Sequence, residues 1–107
     1  MLFVELRSFE RDRDRYLTDE SLAALQLHLA KNPTSGVVIR GSSGLRKLRW
    51  PDSTRQRGKR GSLRVIYVIA RQDHEIWLVS IYGKSDRDNL KDSEIRFLSE
   101  LIDLYRR

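Results

Sequence analysis

The chain has 107 residues, with 21 Lys and Arg against 15 Asp and Glu, a formal net charge of +6, and no cysteine. That length buries one modest core, so a single domain over residues 1–107 is expected. The lack of cysteine excludes a disulfide scaffold, a thiolate nucleophile and a cysteine-held metal. No apolar run approaches the length of a membrane span and the amino terminus lacks a signal-peptide pattern, so the expected setting is cytoplasmic, with no membrane partner.

Leu2-Phe3-Val4-Glu5-Leu6 reads as a short opening strand. From Phe9 to Tyr16, Arg and Asp alternate at spacings that pair on a short helix. Thr18 fits an N-cap, with Asp19 and Glu20 at the positive end of the next helix dipole. Leu22, Leu25 and Leu29 recur at helical spacing, and Pro33 ends the segment near Lys31. Together the two helices form an expected hairpin laid on one face of a sheet.

Val37-Val38-Ile39 is a brief extended piece, and Leu45 to Trp50 a strand with cations at its outward positions. Pro51 to Ser62 reads as a long, glycine-containing loop, a length that in small domains usually carries function. Leu63–Arg71 and Glu75–Gly83 are strongly apolar strands joined at Gln72-Asp73-His74 as an antiparallel hairpin. Ser85 to Asp88 has the form of a capping box before a last helix, in which Ile95, Leu98, Ile102 and Tyr105 make an apolar stripe. The order β-α-α-β-β-β-α predicts an α+β fold: a small antiparallel (mixed) sheet, the helical hairpin on one face, and a C-terminal helix.

Charge is unevenly spread. Residues 1–30 and 65–107 are close to neutral, whereas residues 31–64 hold ten Lys or Arg and one acid, a net +9. Such single-sign crowding costs folding stability and points to a polyanionic partner; a basic loop kept for solubility is the plainer alternative. Only two histidines occur, His28 in the Leu-rich helix and His74 in the hairpin turn, and structural roles suit both. No P-loop or nucleophile elbow appears.

Arginines and lysines suffice for one kind of chemistry. RNA carries its own nucleophile: the 2′-hydroxyl attacks the neighbouring phosphorus and leaves a 2′,3′-cyclic phosphate and a 5′-hydroxyl. The protein must then orient the in-line geometry, neutralise the phosphorane and move protons, with no cofactor and no metal. Arginine brings fixed bidentate donors to phosphate oxygens. A lysine crowded by other cations loses basicity and can serve as a general base.

Three segments occur in order: Gly41-x-x-Gly44-Leu45-Arg46-Lys47-Leu48-Arg49, then Gly58-Lys59-Arg60-Gly61-x-x-Arg64-Val65-Ile66-Tyr67, then Ile81-Tyr82-Gly83-Lys84. In these the chain resembles type II toxins of the RelE superfamily, in particular the HigB-like branch, and the resemblance covers nearly the whole chain. It implies a sheet of the microbial RNase type, cleavage of mRNA in the A site of the 30S ribosomal subunit, and a cognate antitoxin that blocks the activity. It also implies roles for residues. Arg64 stabilises the scissile phosphate, Lys47 and Arg49 form the basic pair on the preceding strand, and Lys84 ends the last strand. Lys59 and Arg60 occupy the basic loop. Some relatives use a catalytic histidine or tyrosine; here Tyr82 and Tyr105 are the tyrosine candidates, with Tyr82 divided between catalysis and sheet packing.

The expected catalytic set is therefore Arg64, Lys84, Lys47, Arg49, Lys59 and Tyr82. Arg46, one position out of phase on its strand, joins Arg55, Arg57 and Arg60 as RNA-binding cations. Trp50 and Trp77 can stack on bases or pack in the core. A non-catalytic nucleic-acid-binding module and an inactive relative are the rival readings. A cutting site needs cations converging from separate segments, whereas a binder needs only one patch.

Overall fold

The computed structural model describes residues 1–52, 62–84, 86, 87 and 89–106. The elements are β1 (Leu2–Glu5), α1 (Arg7–Tyr16), α2 (Asp19–Lys31), β2 (Val37–Val38), β3 (Arg46–Pro51), β4 (Ser62–Ala70), β5 (Glu75–Gly83) and α3 (Asp92–Arg106). The five strands form one sheet in the order β1-β5-β4-β3-β2. Strands β2 to β5 run antiparallel, while β1 lies parallel to β5, so the sheet is mixed. Among the described residues no helix is long and apolar enough to cross a membrane.

Both faces of the sheet are covered. Phe9, Tyr16, Leu17, Leu25 and Leu29 of the α1/α2 region pack with Leu48, Leu63, Val65, Tyr67, Ile76, Leu78 and Ile81. On the other face, Ile102 of α3 with Leu90 and the half-buried Ile95 and Leu98 packs on Ile66, Val68, Ala70, Trp77 and Val79. Burial from both sides explains why β4 and β5 are almost continuously apolar rather than alternating.

Local signals account for most boundaries. The Thr18 hydroxyl accepts from Ser21 N at 3.0 Å, capping α2 as its sequence predicts. The fully buried Tyr67 ties the entry to β2: its hydroxyl donates to Pro33 O at 2.6 Å and accepts from Gly36 N at 2.9 Å. A Cβ at Gly36 would stand 2.8 Å from the Tyr67 ring, so only glycine lets the backbone come this close. The β4–β5 turn takes three consecutive residues, Arg71, Gln72 and Asp73, through positive φ.

One boundary differs from expectation. α3 begins at Asp92, not after the Ser85–Asp88 box, two of whose residues (Ser85 and Asp88) lie outside the described set. The carboxylate of Glu94 instead turns back to accept from Lys91 N at 2.8 Å, the returning half of a capping box three residues apart.

An irregularity in the central hairpin has the widest consequences. Ile66 pairs with Ser80 but Tyr67 pairs with Leu78, which leaves Val79 as an extra residue on β5. Strict alternation from Leu78 would send residues 80, 82 and 84 to the α1/α2 side. The bulge resets the phase, so Ser80 and Tyr82 share the α3 side with their partners Ile66 and Arg64. The bulged carbonyl of Val79 is not left bare, because the Ser8 hydroxyl of α1 donates to it. Leu6 N likewise donates to Leu78 O at 2.9 Å. Ser8→Ala should therefore leave a half-buried carbonyl without its donor, cost about 1–2 kcal/mol and lower Tm by about 4–9 °C in calorimetry. An unchanged Tm would mean that the bulge holds without α1.

A candidate cationic cleft

The register of the central strands decides which side chains meet. Directly opposed residues of antiparallel strands point to one face with Cβ atoms about 4.5–5.5 Å apart. Arg49, Arg64 and Tyr82 form one such row across β3, β4 and β5. Lys47 opposes Ile66 in the next row on that face. On the other flank, Lys84 N donates to Ser62 O at 3.0 Å, which continues the pairing one step beyond the end of β5. Lys47, Arg49, Arg64 and Lys84 thus come from three strands to one edge of the α3 side.

There they line a cleft of about 650 Å³, together with Ser35, Val37, Leu48 and Asn89. No carboxylate is among these lining residues. Arg64 is only 6% exposed, and its Nη1 donates to Ser62 Oγ at 2.8 Å and to Leu63 O at 3.3 Å. Among the described residues it makes no ion pair. Two neutral oxygens, Ser62 Oγ and Leu63 O, fix its guanidinium. Arg49 and Lys84 are exposed, and neither side chain bonds to a described residue. Lys47 Nζ donates to Asn89 Oδ1 at 2.8 Å.

The described residues between Lys84 and Lys91 are tied to the rest of the protein at several points. Tyr16 OH donates to Asp86 Oδ2, joining the end of α1 to the turn after β5. Burial, and then that bond, hold the Tyr16 phenol above its ordinary pKa. A Cβ at Gly83 would lie 3.1 Å from Asp86 Oδ2 and 3.3 Å from the Tyr16 ring, so a glycine permits this closure. Arg87 donates to both oxygens of Glu94 at 2.9 and 3.0 Å, and its guanidinium lies over the Tyr82 ring at 4.8 Å. Burial alone would raise the Glu94 carboxyl, but the Lys91 N–H and then Arg87 outweigh it and hold the group below its ordinary value.

The remaining expected residues are distributed as follows. Lys59, Arg55, Arg57 and Arg60 lie outside the described residues. Arg46 faces away from the cleft, donating to Gly36 O at 2.8 Å and Thr34 O at 3.2 Å, as its odd position on β3 requires. Tyr82 is 4% exposed and does not line the cleft; it packs in the α3-side core and forms part of an adjoining smaller cavity. Tyr105 stands near the far end of α3, its ring edge-on to Trp77. Trp50 leans on His28, ring centroids 5.5 Å apart, and donates to Ser21 Oγ at 3.3 Å. Both tryptophans thus pack against the protein. Asn89 and Ser62, which the sequence did not single out, orient Lys47 and Arg64. Nothing local marks either, because their function comes from a partner distant in sequence or from the turn of one side chain. No family model matches the chain.

Two outcomes follow from this electrostatic arrangement. Arg49 and Arg64 stand directly opposed, and like charges so placed repel. Arg49→Gln should raise Tm by about 1–4 °C at low salt, an advantage that shrinks when sulfate is added. A fall in Tm would show that Arg49 stabilises by packing instead. The depressed Glu94 carboxyl works in the opposite direction with pH. Its contribution is fully present above the unfolded glutamate value of about 4.3 and is lost as pH falls through its lower folded value. Glu94→Gln should accordingly be least stable relative to the parent near neutrality and approach it in acid. A constant difference across that range would contradict the pairing.

Proposed function

We propose that the chain is a toxin-type endoribonuclease of the RelE superfamily, HigB-like branch, which cuts mRNA in the ribosomal A site and so stops translation. The single observation that supports this most is the convergence of Lys47, Arg49, Arg64 and Lys84, from three strands, on one cleft with no carboxylate among its described lining residues. A binder that only neutralises backbone phosphates needs a patch of charge. A catalyst of phosphoryl transfer needs donors that surround one phosphorus from several directions, held in place beforehand.

In this reading the 2′-oxygen attacks the adjacent phosphorus as its proton leaves to a base. The bond from phosphorus to the 5′-oxygen breaks, and that oxygen takes a proton. Arg64 binds the non-bridging oxygens, since its guanidinium is fixed by Ser62 Oγ and Leu63 O and has no competing carboxylate among the described residues. Arg49 shares the developing charge from the facing strand. Proton transfers fall to the lysines, Lys84 with its side chain unengaged by described residues and Lys47 oriented by Asn89. Tyr82 is buried under the Arg87 guanidinium, beside the cleft rather than in its lining. The mechanism needs no metal. A cell carrying such a protein requires an antitoxin, whose carboxylates would neutralise or cover the cleft.

The test adds purified protein to an in vitro translation reaction and maps messenger ends by primer extension. Cleavage by the parent should leave ends within codons at the A site. Arg64→Ala should lower the cleavage rate at saturating ribosome about 100-fold or more, the scale of losing one charge donor to the transition state. Ribosome association should fall much less, because the other cations still meet the RNA backbone. Absence of new messenger ends with the parent, or an Arg64→Ala variant that cuts at the parental rate, would overturn the reading and leave a nucleic-acid-binding module.

A further inference from the structure

Among the described residues lining the cationic cleft, Ser35 supplies the one hydroxyl. It stands in the turn between α2 and β2, and β2 is an edge of the sheet. Helix α2 packs on the opposite face, but its His28 reaches that turn: His28 Nε2 lies 3.2 Å from Ser35 Oγ. The half-buried imidazole is held from its other side by Trp50, with ring centroids 5.5 Å apart. Ser35 N donates to Asn32 O at 3.1 Å and Asn32 N to His28 O at 2.8 Å, so backbone bonds tie the turn to the end of α2. Ser35 Oγ makes no other hydrogen bond to a described residue. A histidine that its leucine-rich sequence marks as structural thus touches the lining of the cleft.

A serine hydroxyl has one hydrogen and donates it once. Beside a bare Nε2, Ser35 donates to His28 and turns only lone pairs to the cleft, where they repel a phosphate oxygen. Beside an Nε2 that carries a proton, His28 donates to Ser35, and the serine hydrogen is left for the cleft. An imidazolium is protonated on both nitrogens and enforces the second arrangement. The groups facing His28 from β3 and from the turn, Trp50 and Ser35, are neutral. On α2 itself Lys31 stands three residues on, and the cations of the cleft lie beyond Ser35. We infer that Ser35 is a phosphate-binding donor of the cleft and that His28 is the positioning residue that orients its hydroxyl. The inference rests on the proposed reading of the cleft as a phosphate site, and adds a neutral, directional donor to its four cations. Hydrogen bonds in a chain from imidazole to hydroxyl to phosphate strengthen one another, most when the imidazole is charged. Affinity for an anion should therefore be higher in acid and fall as pH rises through the range in which histidine loses its proton.

The experiment titrates the intact protein with inorganic sulfate, whose own charge is constant across that range, at about pH 5 and about pH 8. Chloride holds the ionic strength fixed, and amide shifts are followed by NMR. The parent should bind sulfate more tightly at the lower pH. Ser35→Ala, at an exposed position that should not disturb folding, should weaken binding about three- to tenfold in acid, the scale of one net hydrogen bond, and less than about twofold at the higher pH. His28→Gln keeps an N–H donor without a titrating group, so its affinities at the two pH values should agree within about twofold. His74→Gln, in the distant β4–β5 turn, should keep the parental pH dependence. An effect of Ser35→Ala that is the same at both pH values, zero included, or a parental pH dependence in His28→Gln, would overturn the pairing while leaving the anion cleft intact. Failure of sulfate to shift Arg64 and Lys84 at either pH would overturn the anion-site reading, and this inference with it.

Discussion

The single extra residue at Val79 is the constraint on which the arrangement depends. Strands have a side-chain period of two, so one inserted residue exchanges the faces for everything beyond it. Here that exchange sends Tyr82 to the side of Arg64 and carries the pairing on through Lys84 to Ser62. Without it, the basic residue after β5 would emerge toward the α1/α2 layer, separated from Arg49 and Arg64 by the thickness of the sheet. The bulge is fixed from outside the hairpin, by Ser8 on Val79 O and by Leu6 on Leu78 O. The opening strand and first helix thereby act on the geometry of a cleft to which they contribute no side chain.

The cleft is also where two opposing demands on the sheet meet. Helix α3 covers Ile66, Val68, Trp77 and Val79, and its apolar side chains require an apolar surface beneath them. That cover ends at Tyr82, beyond which Arg64 and Arg49 turn the same sheet face cationic. Tyr82 sits at the boundary, buried with the core and stacked under Arg87. Two opposed arginines are unfavourable in the free protein, and a bound phosphate would convert that repulsion into shared attraction.

Much of the fold was legible from patterns local to each segment. The Thr18 cap, the Leu22-Leu25-Leu29 stripe, the two long apolar strands and the late helix all follow from spacing of two or 3.6 residues. The parallel pairing of β1 was not legible, because Leu2–Glu5 would read the same beside any neighbour, and its partner lies some seventy residues on. The start of α3 was misplaced for a related reason. The Ser85–Asp88 string has capping chemistry, but the segment is engaged by Tyr16 and Glu94, and the helix waits for the Glu94–Lys91 contact. In the cleft, alternation alone paired Lys47 with Arg49 and turned Arg46 away. Only the bulge decides the face of Tyr82 and Lys84, and no residue type announces it.

The connection from β5 to α3 shows how so small a chain gives precision to an exposed lysine. Asp86 N and Arg87 N both donate to Gly83 O, and side chains add to these backbone bonds in offsetting the entropy of ordering. Asp86 takes the Tyr16 hydroxyl, Arg87 takes Glu94, and Asn89 takes Lys47. These ties reach α1, α3 and β3 respectively, so the connection is fixed to a helix on each face and to the sheet between them. Lys84 at one end and Asp92 at the other are positioned by the same ties. A disturbance at the Tyr16–Asp86 contact would therefore be felt at the cationic cleft and at the smaller adjoining cavity together, since Lys47 and Asn89 line both.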